Sequence, residues 1–367
     1  MNRRIVIFNN IPSPYSVDLN QAIQNACEGD EIFSVYTNKN EDNRMWNTDL
    51  SALDHVMILE SKILKLKTAH DYRYIHFPPS IFKVLNSIDP DVVIAKEYNP
   101  SAVQSLLFCK ARHIPYIHVT EGTLLSERSI NPVQKLLRRW IISGADHCIA
   151  ASTKAKEKLY YWGAKESDVD IAYLTFDLKP FQSIRRDIKP GTLLYVGSMA
   201  ERKGLDLLIQ ALPYAPSVKE VRIVGNGSEE QLRQYTETAE RFGVRDKIVF
   251  AGFKTGEKLR EEYARASVFV LPTREDCFGL VLLEAMVAGL PIVASSYADG
   301  AYDVVADGHN GRIADPFQSE AFGRAIEQVM SDPSFQEKAK TMDYSPFALD
   351  HVAGVYRDVI ETLVNRT

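Results

Sequence analysis

The sequence is poor in cysteine, and its cysteines form no recognisable framework. There are four of them, Cys27, Cys109, Cys148 and Cys277, and no two are spaced as C-x-x-C. Disulfide-stapled secreted domains and thiolate zinc sites both need sets of closely spaced cysteines. The composition therefore predicts free thiols in a reducing compartment, which indicates a cytoplasmic protein.

A long uninterrupted apolar run and an excess of positive charge are also missing. The most apolar stretch, residues 278–294, is interrupted by Glu284 and Pro291, which argues against a membrane span. The first residues, MNRR followed by IVIF, contain too short an apolar run for a secretory leader. The net charge of −5, with both signs scattered, argues against a nucleic-acid partner. Any membrane contact is therefore expected to be peripheral, at the inner face of the membrane.

Short apolar segments that alternate with helical or loop segments dominate the chain of 367 residues. Continuous apolar strands between helices are typical of parallel sheets that are buried on both faces. The pattern predicts two doubly wound α/β domains, at residues 1–177 and 178–345, with 178–191 as the linker and a final helix within 346–367. The predicted strands lie at residues 5–8, 32–36, 56–59, 92–95, 116–119, 148–150, 192–196, 221–224, 248–250, 267–271 and 292–294.

One stretch, residues 273–294, carries the most informative motif of the sequence. It reads TREDCFGLVLLEAMVAGLPIVA and holds two acids, Asp276 and Glu284, eight positions apart. A strand precedes it and another ends it, so a helix is expected to begin at the carboxyl edge of a parallel sheet. Unpaired N–H groups at a helix N-terminus attract anions, and acidic side chains accept hydrogen bonds from sugar or ribose hydroxyls. These features together indicate a pocket for a nucleotide sugar.

The stretch resembles the acidic-x7-acidic motif of family 4 glycosyltransferases with the GT-B fold, with Asp276 where the family normally has Glu. The resemblance implies two Rossmann-like domains that face a central cleft, and a C-terminal helix that crosses back to the first domain. It also implies a retaining transfer of a hexosyl group from a UDP- or GDP-linked sugar, without a metal ion or another cofactor.

The resemblance extends to further loops of the second domain and implies their roles. Arg202 and Lys203, in a segment that resembles G-x-x-x-x-R-K-G, would neutralise the leaving diphosphate. Asp276 would hold the hydroxyls of the donor sugar, and Glu284 those of the ribose. The remaining donor-binding candidates are Gly197, Gly225, Asn226, Gly227, Phe278, Gly279 and Leu280, with Phe253 and Lys254 beside the base.

Polar residues at strand ends of the first domain are candidates for the acceptor side. Glu97 and Tyr98 follow one predicted strand, and Glu121 follows another, where many family members carry a His. His118 is expected to point to the opposite face of its strand and to lie in the core. The proline-rich loop after the first strand adds Pro12, Ser13, Pro14 and Tyr15. Arg202, Lys203, Asp276 and Glu121 are the candidate catalytic residues.

Two cationic stretches interleaved with apolar residues have two possible interpretations. Lys62, Lys65 and Lys67 form one, and Lys135, Arg138 and Arg139 form the other. Both could touch anionic lipid headgroups, although solvated helix or loop faces explain them more simply. Asp168-Val169-Asp170 imitates a metal-binding D-x-D but lies away from the predicted crevice loops, so no metal site is assigned.

The acceptor and the reaction leave alternatives open. The NIPSPY loop resembles that of bacterial surface-polysaccharide transferases, which implies a glycan or lipid-linked acceptor such as those of lipopolysaccharide biosynthesis. A differently acting GT-B protein, such as a nucleotide-sugar epimerase or a phosphorylase, is one alternative. A non-catalytic sugar- or nucleotide-binding module is another, because Asp276 and the missing His depart from the family pattern. A dinucleotide dehydrogenase is not favoured, since no G-x-G-x-x-G follows the first strand.

Overall fold

The computed structural model describes residues 2–41, 48–67 and 72–365 and divides the chain into two compact units. The first unit runs to Asp177 and also includes the chain from Ser345 onward, and the second runs from Leu178 to Tyr344. Each unit is built around one parallel sheet with helices on both faces, as the alternating pattern predicts.

The first unit contains these elements: β1 (Arg4–Asn9), α1 (Pro14–Ala26), β2 (Glu31–Tyr36), β3 (His55–Ile58), β4 (Lys62–Lys67), β5 (Tyr72–Phe77), α2 (Ile81–Ile88), β6 (Val92–Lys96), α3 (Pro100–Arg112), β7 (Tyr116–Thr120), α4 (Pro132–Gly144), β8 (His147–Ala150), α5 (Thr153–Tyr161) and β9 (Val169–Ile171). The second unit continues with α6 (Lys179–Gln182), β10 (Thr192–Val196), α7 (Leu205–Ala211), β11 (Glu220–Val224), α8 (Glu229–Arg241), β12 (Ile248–Gly252), α9 (Gly256–Arg265), β13 (Val268–Leu271), α10 (Leu280–Val287), β14 (Ile292–Ser295), α11 (Ala301–Val304), β15 (Gly311–Ala314), α12 (Ser319–Ser331) and α13 (Ser334–Ala339). The last helix, α14 (Leu349–Val364), belongs to the first unit.

The main sheet of the first unit has the strand order β3-β2-β1-β6-β7-β8-β9. All of its pairings are parallel, and its central strands are almost entirely apolar and buried. Helices start where a polar residue caps them: the Ser13 hydroxyl accepts the Ser16 N–H at the start of α1, and Asn99 caps α3. In both helices a proline takes the first helical position, where its missing N–H costs nothing.

The chain's last helix completes the first unit. Its apolar face packs with α1 against one side of the sheet, so that Val352, Tyr356 and Ile360 share a core with Leu19 and Ile23. A helix within 346–367 was expected from the sequence, and its return to the first unit is the arrangement that the GT-B resemblance implies.

An antiparallel hairpin replaces the solvated helix or loop expected around Lys62, Lys65 and Lys67. β4 pairs with β5 from Lys62 opposite Phe77 to Lys67 opposite Tyr72. Every residue of β4 is exposed, so both of its faces are open within the part of the chain that the structure describes. The expectation of a helix or loop was therefore wrong, because a strand that buries neither face has no apolar period by which the sequence could reveal it.

The sheet of the second unit has the strand order β12-β11-β10-β13-β14-β15, again with parallel pairings. Its core joins residues of β10, β11, β13, α7 and α12 around the fully buried Leu208, Ile223 and Phe322. Two edge strands, β9 in the first sheet and β15 in the second, have no counterpart among the predicted strands, because both are short and carry charged or half-exposed residues.

Residues 178–191, the predicted linker, have little regular secondary structure and are hydrogen-bonded to the second unit. They contain α6, and the Asp187 and Lys189 N–H groups donate to the carbonyls of Ala264 and Arg265.

Asp170, in the stretch that imitates a metal site, pairs with His147 of β8 at 2.9 Å. The described residues contain no group of three or more acid, His or Cys side chains placed to hold a metal ion. In the described part of the chain, none of the helices has both the length and the apolarity that crossing a bilayer requires.

Candidate functional site

Three glycine-containing loops meet at the carboxyl edge of the second sheet. The Gly197 N–H donates to the Val224 carbonyl at 2.9 Å, and the Gly225 N–H donates to the Gly252 carbonyl at 3.0 Å. A Cβ on Gly225 would lie 1.8 Å from the Gly197 carbonyl oxygen, so no other residue fits there. Glycine is therefore required where the loops after β10 and β11 touch, and Asn226 is left exposed beside them.

The turn that carries Arg202 and Lys203 is joined to the loop after β13 by backbone hydrogen bonds. The Arg274 N–H donates to the Arg202 carbonyl at 2.8 Å, and the Thr273 hydroxyl donates to the same oxygen at 2.9 Å. Gly204 ends the turn with φ of +68°, and a Cβ there would lie 2.0 Å from the Pro272 carbonyl oxygen. Two motifs that are about seventy residues apart in the sequence thus form one rigid surface.

Asp276 and the two cations form a cluster on this surface. The Lys203 ammonium lies 2.5 Å from Asp276 Oδ2, and the nearest Arg202 nitrogen lies 3.7 Å from the same atom. Arg202 also donates to the Glu275 carbonyl at 2.8 Å. Burial opposes ionisation of Asp276, but the charges of Lys203 and Arg202 outweigh it and hold the pKa of this carboxyl below its usual range. The structure therefore brings together the three residues assigned to the diphosphate and the donor sugar.

A second loop, residues 295–300, fixes the backbone around Asp276; the sequence predicts a structural turn here, and the loop was not among the candidate site residues. The Asp276 N–H donates to the Tyr297 carbonyl at 3.0 Å, and the Asp299 N–H donates to the Asp276 carbonyl at 2.9 Å. A Cβ on Gly300 would lie 2.2 Å from the Phe278 carbonyl oxygen. The sequence offers a signal for this loop, the turn-forming pair Asp299-Gly300, but the pair predicts only a turn and not its partner.

Phe278, Gly279 and Leu280 lead into α10, the helix that carries Glu284. Phe278 is buried, and Gly279 precedes the helix with φ of +80°, a conformation that suits glycine. Leu280 is the first residue of the helix, so its N–H belongs to the unpaired set at a helix N-terminus. The Phe278 N–H is engaged by the Asp276 carboxylate, so the start of α10 is the part of this segment that can offer backbone donors.

Glu284 is the fifth residue of α10 and has a single hydrogen-bond partner among the described side chains. The Tyr263 hydroxyl donates to Glu284 Oε2 at 2.5 Å. Burial raises the pKa of the Glu284 carboxyl to about 7, and the hydrogen bond from Tyr263 opposes that rise only in part. Glu284 still keeps part of its surface open, so a ligand can reach it.

The two residues predicted to lie beside the nucleobase, Phe253 and Lys254, differ in how accessible their side chains are. Phe253 follows β12 and is 66% exposed, so its ring is available for stacking. The Lys254 ammonium pairs with Glu262, which also accepts from Arg222 at 2.8 Å. The side chain of Lys254 is thus engaged with an ion cluster, and the backbone of residues 252–254 is what remains for a base.

Glu97 holds the strand end that presents Glu121 in the first unit. Its carboxylate accepts the Glu121 N–H at 2.5 Å, the Gly122 N–H at 3.2 Å and the Thr120 hydroxyl at 3.2 Å. Glu97 itself has φ of +59°, a strained conformation for a residue with a side chain. Burial lowers the pKa of the Lys96 ammonium, and the charges of Glu121 and Glu97 partly oppose that. The geometry gives Glu97 a supporting position behind Glu121.

Tyr98 and His118 lie together beneath this strand end. His118 is fully buried in the core, as predicted, and burial together with the Lys158 charge lowers its pKa to about 3. Its ring lies 4.7 Å from that of Tyr98. The Arg138 guanidinium and the Lys158 ammonium lie 4.5 Å and 4.9 Å from the Tyr98 ring centre. These contacts occupy the faces of the Tyr98 ring. Tyr98 was predicted to bind the acceptor, and these faces are not open to it.

A buried ion cluster under the Glu121 loop was not anticipated. Arg138 pairs with Glu127 at 2.8 Å, and the fully buried Lys158 donates to Thr120 at 2.7 Å and lies 3.5 Å from Glu127. A Cβ on Gly122 would lie 3.1 Å from the Lys158 ammonium. The expectation that Arg138 faces solvent or lipid was therefore wrong, because its partner Glu127 lies eleven residues earlier and draws it inward.

The loop after β1 offers less surface than expected. Pro12 and Ser13 are buried, and the Ser13 hydroxyl serves as the cap of α1. The Pro12 carbonyl accepts from the Thr48 hydroxyl at 2.8 Å. Pro14 is exposed and Tyr15 half-exposed, so these two present the surface of the predicted acceptor loop.

Two family models match the chain and together span most of it. The model described as "Glycosyltransferase Family 4" matches residues 49–179, and the one described as "Glycosyl transferases group 1" matches residues 178–345. Their border coincides with the border between the two compact units.

Curated relatives match over part of their lengths. An uncharacterised glycosyltransferase from Methanocaldococcus jannaschii is 32% identical over 47% of this chain and 46% of its own. Alpha-D-kanosaminyltransferase from Streptomyces kanamyceticus is 24% identical over 65% and 67%. A lipopolysaccharide core biosynthesis glycosyltransferase, LpsE, from Rhizobium meliloti is 32% identical over 40% and 41%. The matches thus span about two fifths to two thirds of these relatives.

Solved structures share the fold over the full length. The Anabaena protein HepE in complex with UDP and glucose has a TM-score of 0.74 at 15% identity, over 98% of this chain and all of that one. The lipopolysaccharide outer core galactosyltransferase WaaB has a TM-score of 0.75 at 16% identity, over 98% and 99%. From the two matched models and this shared fold, the chain belongs to family 4 of the glycosyltransferases with the GT-B fold.

Proposed function

We propose that this protein is a retaining glycosyltransferase that moves a hexosyl group from a UDP- or GDP-linked sugar to a glycan or lipid-linked acceptor. One observation carries the proposal: Lys203 and Arg202 are held against Asp276 at the carboxyl edge of a parallel sheet. Ligands of doubly wound sheets bind outside that edge. Two prepositioned cations beside an acid suit a diphosphate joined to a sugar.

The chemistry needs stabilisation of the charge that grows on the leaving diphosphate as the sugar becomes oxocarbenium-like. Lys203 and Arg202 supply two positive charges whose positions are set in advance, because contacts with Asp276 and the Glu275 carbonyl hold them at the sheet edge. A prepositioned donor of this kind contributes about 2–4 kcal/mol to lowering a barrier. The two side chains thereby fill the role that a metal ion has in other transferases, so we propose a metal-independent reaction.

The remaining donor contacts follow from the loops at the same sheet edge. Gly197 and the 225–227 loop allow the backbone to approach a diphosphate, and Phe253 offers an exposed ring near a base. Glu284 provides a carboxylate for the ribose hydroxyls. A bound UDP and glucose in the HepE structure support a nucleotide-sugar donor, since that protein shares the fold.

On the acceptor side we propose Glu121, Pro14 and Tyr15 as contacts. Glu121 is presented by a strand end that Glu97 and the buried ion cluster fix in place. The names of LpsE and WaaB support a role in cell-surface polysaccharide biosynthesis.

We further propose that the protein is cytoplasmic and that the outer face of α4 binds anionic lipid headgroups at the inner face of the membrane. Val133 and Leu136 are 76% and 70% exposed there, and Lys135 and Arg139 are exposed beside them. The helix contains no acidic residue. Apolar side chains flanked by cations fit an anionic interface. Leu136→Gln should reduce co-sedimentation with phosphatidylglycerol vesicles but not with phosphatidylcholine vesicles, and unchanged sedimentation would contradict this surface.

The proposed reaction is tested by incubating the purified protein with UDP- and GDP-sugars and measuring release of the nucleoside diphosphate, with and without a metal chelator. Lys203→Ala should slow release by two or more orders of magnitude, about 3 kcal/mol of barrier. Lys219→Ala is the matched control, because Lys219 is exposed at the opposite end of β11. Near-normal release by Lys203→Ala would refute the leaving-group assignment, and binding without turnover would favour a non-catalytic module.

A further inference from the structure

The hydroxyl of Tyr263 is the feature of the second unit that the proposed reaction leaves unexplained. Tyr263 is fully buried on α9, and its hydroxyl donates to Glu284 Oε2 on α10 at 2.5 Å. Burial holds the pKa of Tyr263 well above its usual range, so the phenol keeps its proton and acts as the donor. The bond therefore has a fixed direction, from the phenol to the carboxylate.

The ring of Tyr263 is held in one orientation by two other aromatic rings. Phe269 of β13 lies 5.9 Å away in a nearly parallel arrangement, with 17° between the planes. Phe181 of α6 meets the ring edge-on, at 5.4 Å and 85°. Packing on two sides restricts the motion of this buried ring, and its hydroxyl occupies a defined position against Glu284.

The two helices that carry the pair are also tied together. Arg186, in the segment before β10, donates to the Ala266 carbonyl at the end of α9 at 2.5 Å. Its other terminal nitrogen donates to the Gly289 carbonyl after α10 at 2.6 Å. The guanidinium therefore bridges the C-terminal ends of both helices, and the spacing between Tyr263 and Glu284 does not depend on their hydrogen bond alone.

This arrangement decides which atoms of Glu284 are available to a ligand. One position on Oε2 is taken by the phenol, and that bond restrains the rotation of the carboxylate. The part of Glu284 that stays open can accept further hydrogen bonds on its remaining lone pairs. Two neighbouring hydroxyls of a ribose are donors with the spacing that a fixed carboxylate accepts, whereas a freely rotating one would first have to be ordered.

We propose that Tyr263 is a positioning residue that fixes the Glu284 carboxylate so that the donor site selects a ribonucleotide over its 2′-deoxy form. The proposal rests on the ribose role given to Glu284 above. It goes beyond that role because it assigns the selectivity to a buried tyrosine that touches no ligand.

The test uses UDP and GDP, and the 2′-deoxy form of each, in titration calorimetry at pH 8, where a carboxyl with a pKa of about 7 is ionised. Wild type should bind the ribose form at least about tenfold more tightly than the deoxy form, as loss of a hydrogen bond to a charged group predicts. Tyr263→Phe keeps the ring packing and removes only the hydroxyl. It should lose most of this discrimination by weakening the ribose form and leaving the deoxy form unchanged.

Glu284→Gln supplies the second arm of a double-mutant cycle. Adding Tyr263→Phe to Glu284→Gln should have little further effect on discrimination, since both changes act on one contact. Equal weakening of ribose and deoxy forms by Tyr263→Phe would overturn the proposal, because a mere packing role predicts that result. Full discrimination in Tyr263→Phe would overturn it as well.

The proposed function fails in a different way. If folded wild-type protein binds neither UDP nor GDP, the donor assignment itself is wrong. If wild type binds one of them without preferring the ribose form, Glu284 does not hold the ribose, and the role of Tyr263 falls with it. Tyr356→Phe is the control variant, because this buried tyrosine lies on α14 in the other unit.

Discussion

Replacing Glu284 by Gln should stabilise the second unit while it weakens nucleotide binding. The reason is that burial makes ionisation of this carboxyl unfavourable and raises its pKa from 4.5 to about 7. Glutamine has almost the same shape, keeps an oxygen that can accept from the Tyr263 hydroxyl, and has no charge to bury. The wild-type residue is thus expected to be retained for binding at the expense of stability.

The size of the effect follows from the difference between the two pKa values. A carboxyl of about 7 in the folded protein and 4.5 in the unfolded chain differs by about 2.5, and each pKa unit is worth about 1.4 kcal/mol. Ionisation of Glu284 therefore costs the folded state up to about 3 kcal/mol. Because the folded-state value is the higher one, this cost is complete above pH 7 and disappears as the pH falls to 4.5.

Thermal unfolding of both proteins at pH 8 and pH 5 measures this. Glu284→Gln should raise the unfolding temperature at pH 8 by about 6–12 °C, since it removes about 3 kcal/mol of cost and about 1 kcal/mol shifts the temperature by about 2–4 °C in a unit of this size. At pH 5 most of the difference should vanish. Glu237→Gln on the exposed face of α8 is the control and should change little at either pH.

Two results would refute this reasoning. An equal stabilisation at pH 5 and pH 8 would mean that the charge of Glu284 is not its cause. Loss of stability at pH 8 would mean that the carboxylate has partners in the folded state that glutamine cannot replace. Nucleotide affinity is expected to fall below pH 7 as Glu284 takes up a proton. In either case a group other than Glu284 would have to cause that pH dependence.

Three further predictions concern other parts of the molecule. Gly225→Ala should cost more than about 2 kcal/mol of unfolding free energy and abolish nucleotide binding, because its Cβ would lie 1.8 Å from the Gly197 carbonyl; a soluble variant with normal affinity would contradict this. Lys158→Met should cost about 1–3 kcal/mol in urea unfolding, because Thr120 and Glu127 lose a buried donor while Glu127 keeps Arg138; UDP affinity should stay unchanged, and a loss of UDP affinity would contradict this. Gly354→Ala in α14 should raise stability by about 0.5–1 kcal/mol, because its Cβ meets no atom; destabilisation in the same urea assay would contradict this.

The sequence predicted the parts of the fold that depend on local pattern. Apolar runs such as residues 192–196 became central strands because a strand buried on both faces leaves no room for polar residues. The loops at residues 197 and 225–227 were singled out by their resemblance to family loops, and their glycines are required where the two loops touch.

The parts that failed depend on contacts between distant residues. Arg138 looks like its neighbours on α4, and only the position of Glu127 in space decides that it points inward. The role of Tyr263 has the same origin, since its partner lies twenty-one residues later on another helix. The β4–β5 hairpin was missed because KILKLK has no buried face to give it a clear period.

The pairing of Lys203 and Arg202 with Asp276 has a consequence for the free protein. In the free protein both cations already have a counter-charge, because Asp276 Oδ2 lies 2.5 Å from Lys203 and 3.7 Å from Arg202. An arriving anion must share or displace that acid, so its affinity reflects an exchange of one counter-charge for another. Binding should therefore weaken with added salt less steeply than two bare charges would require.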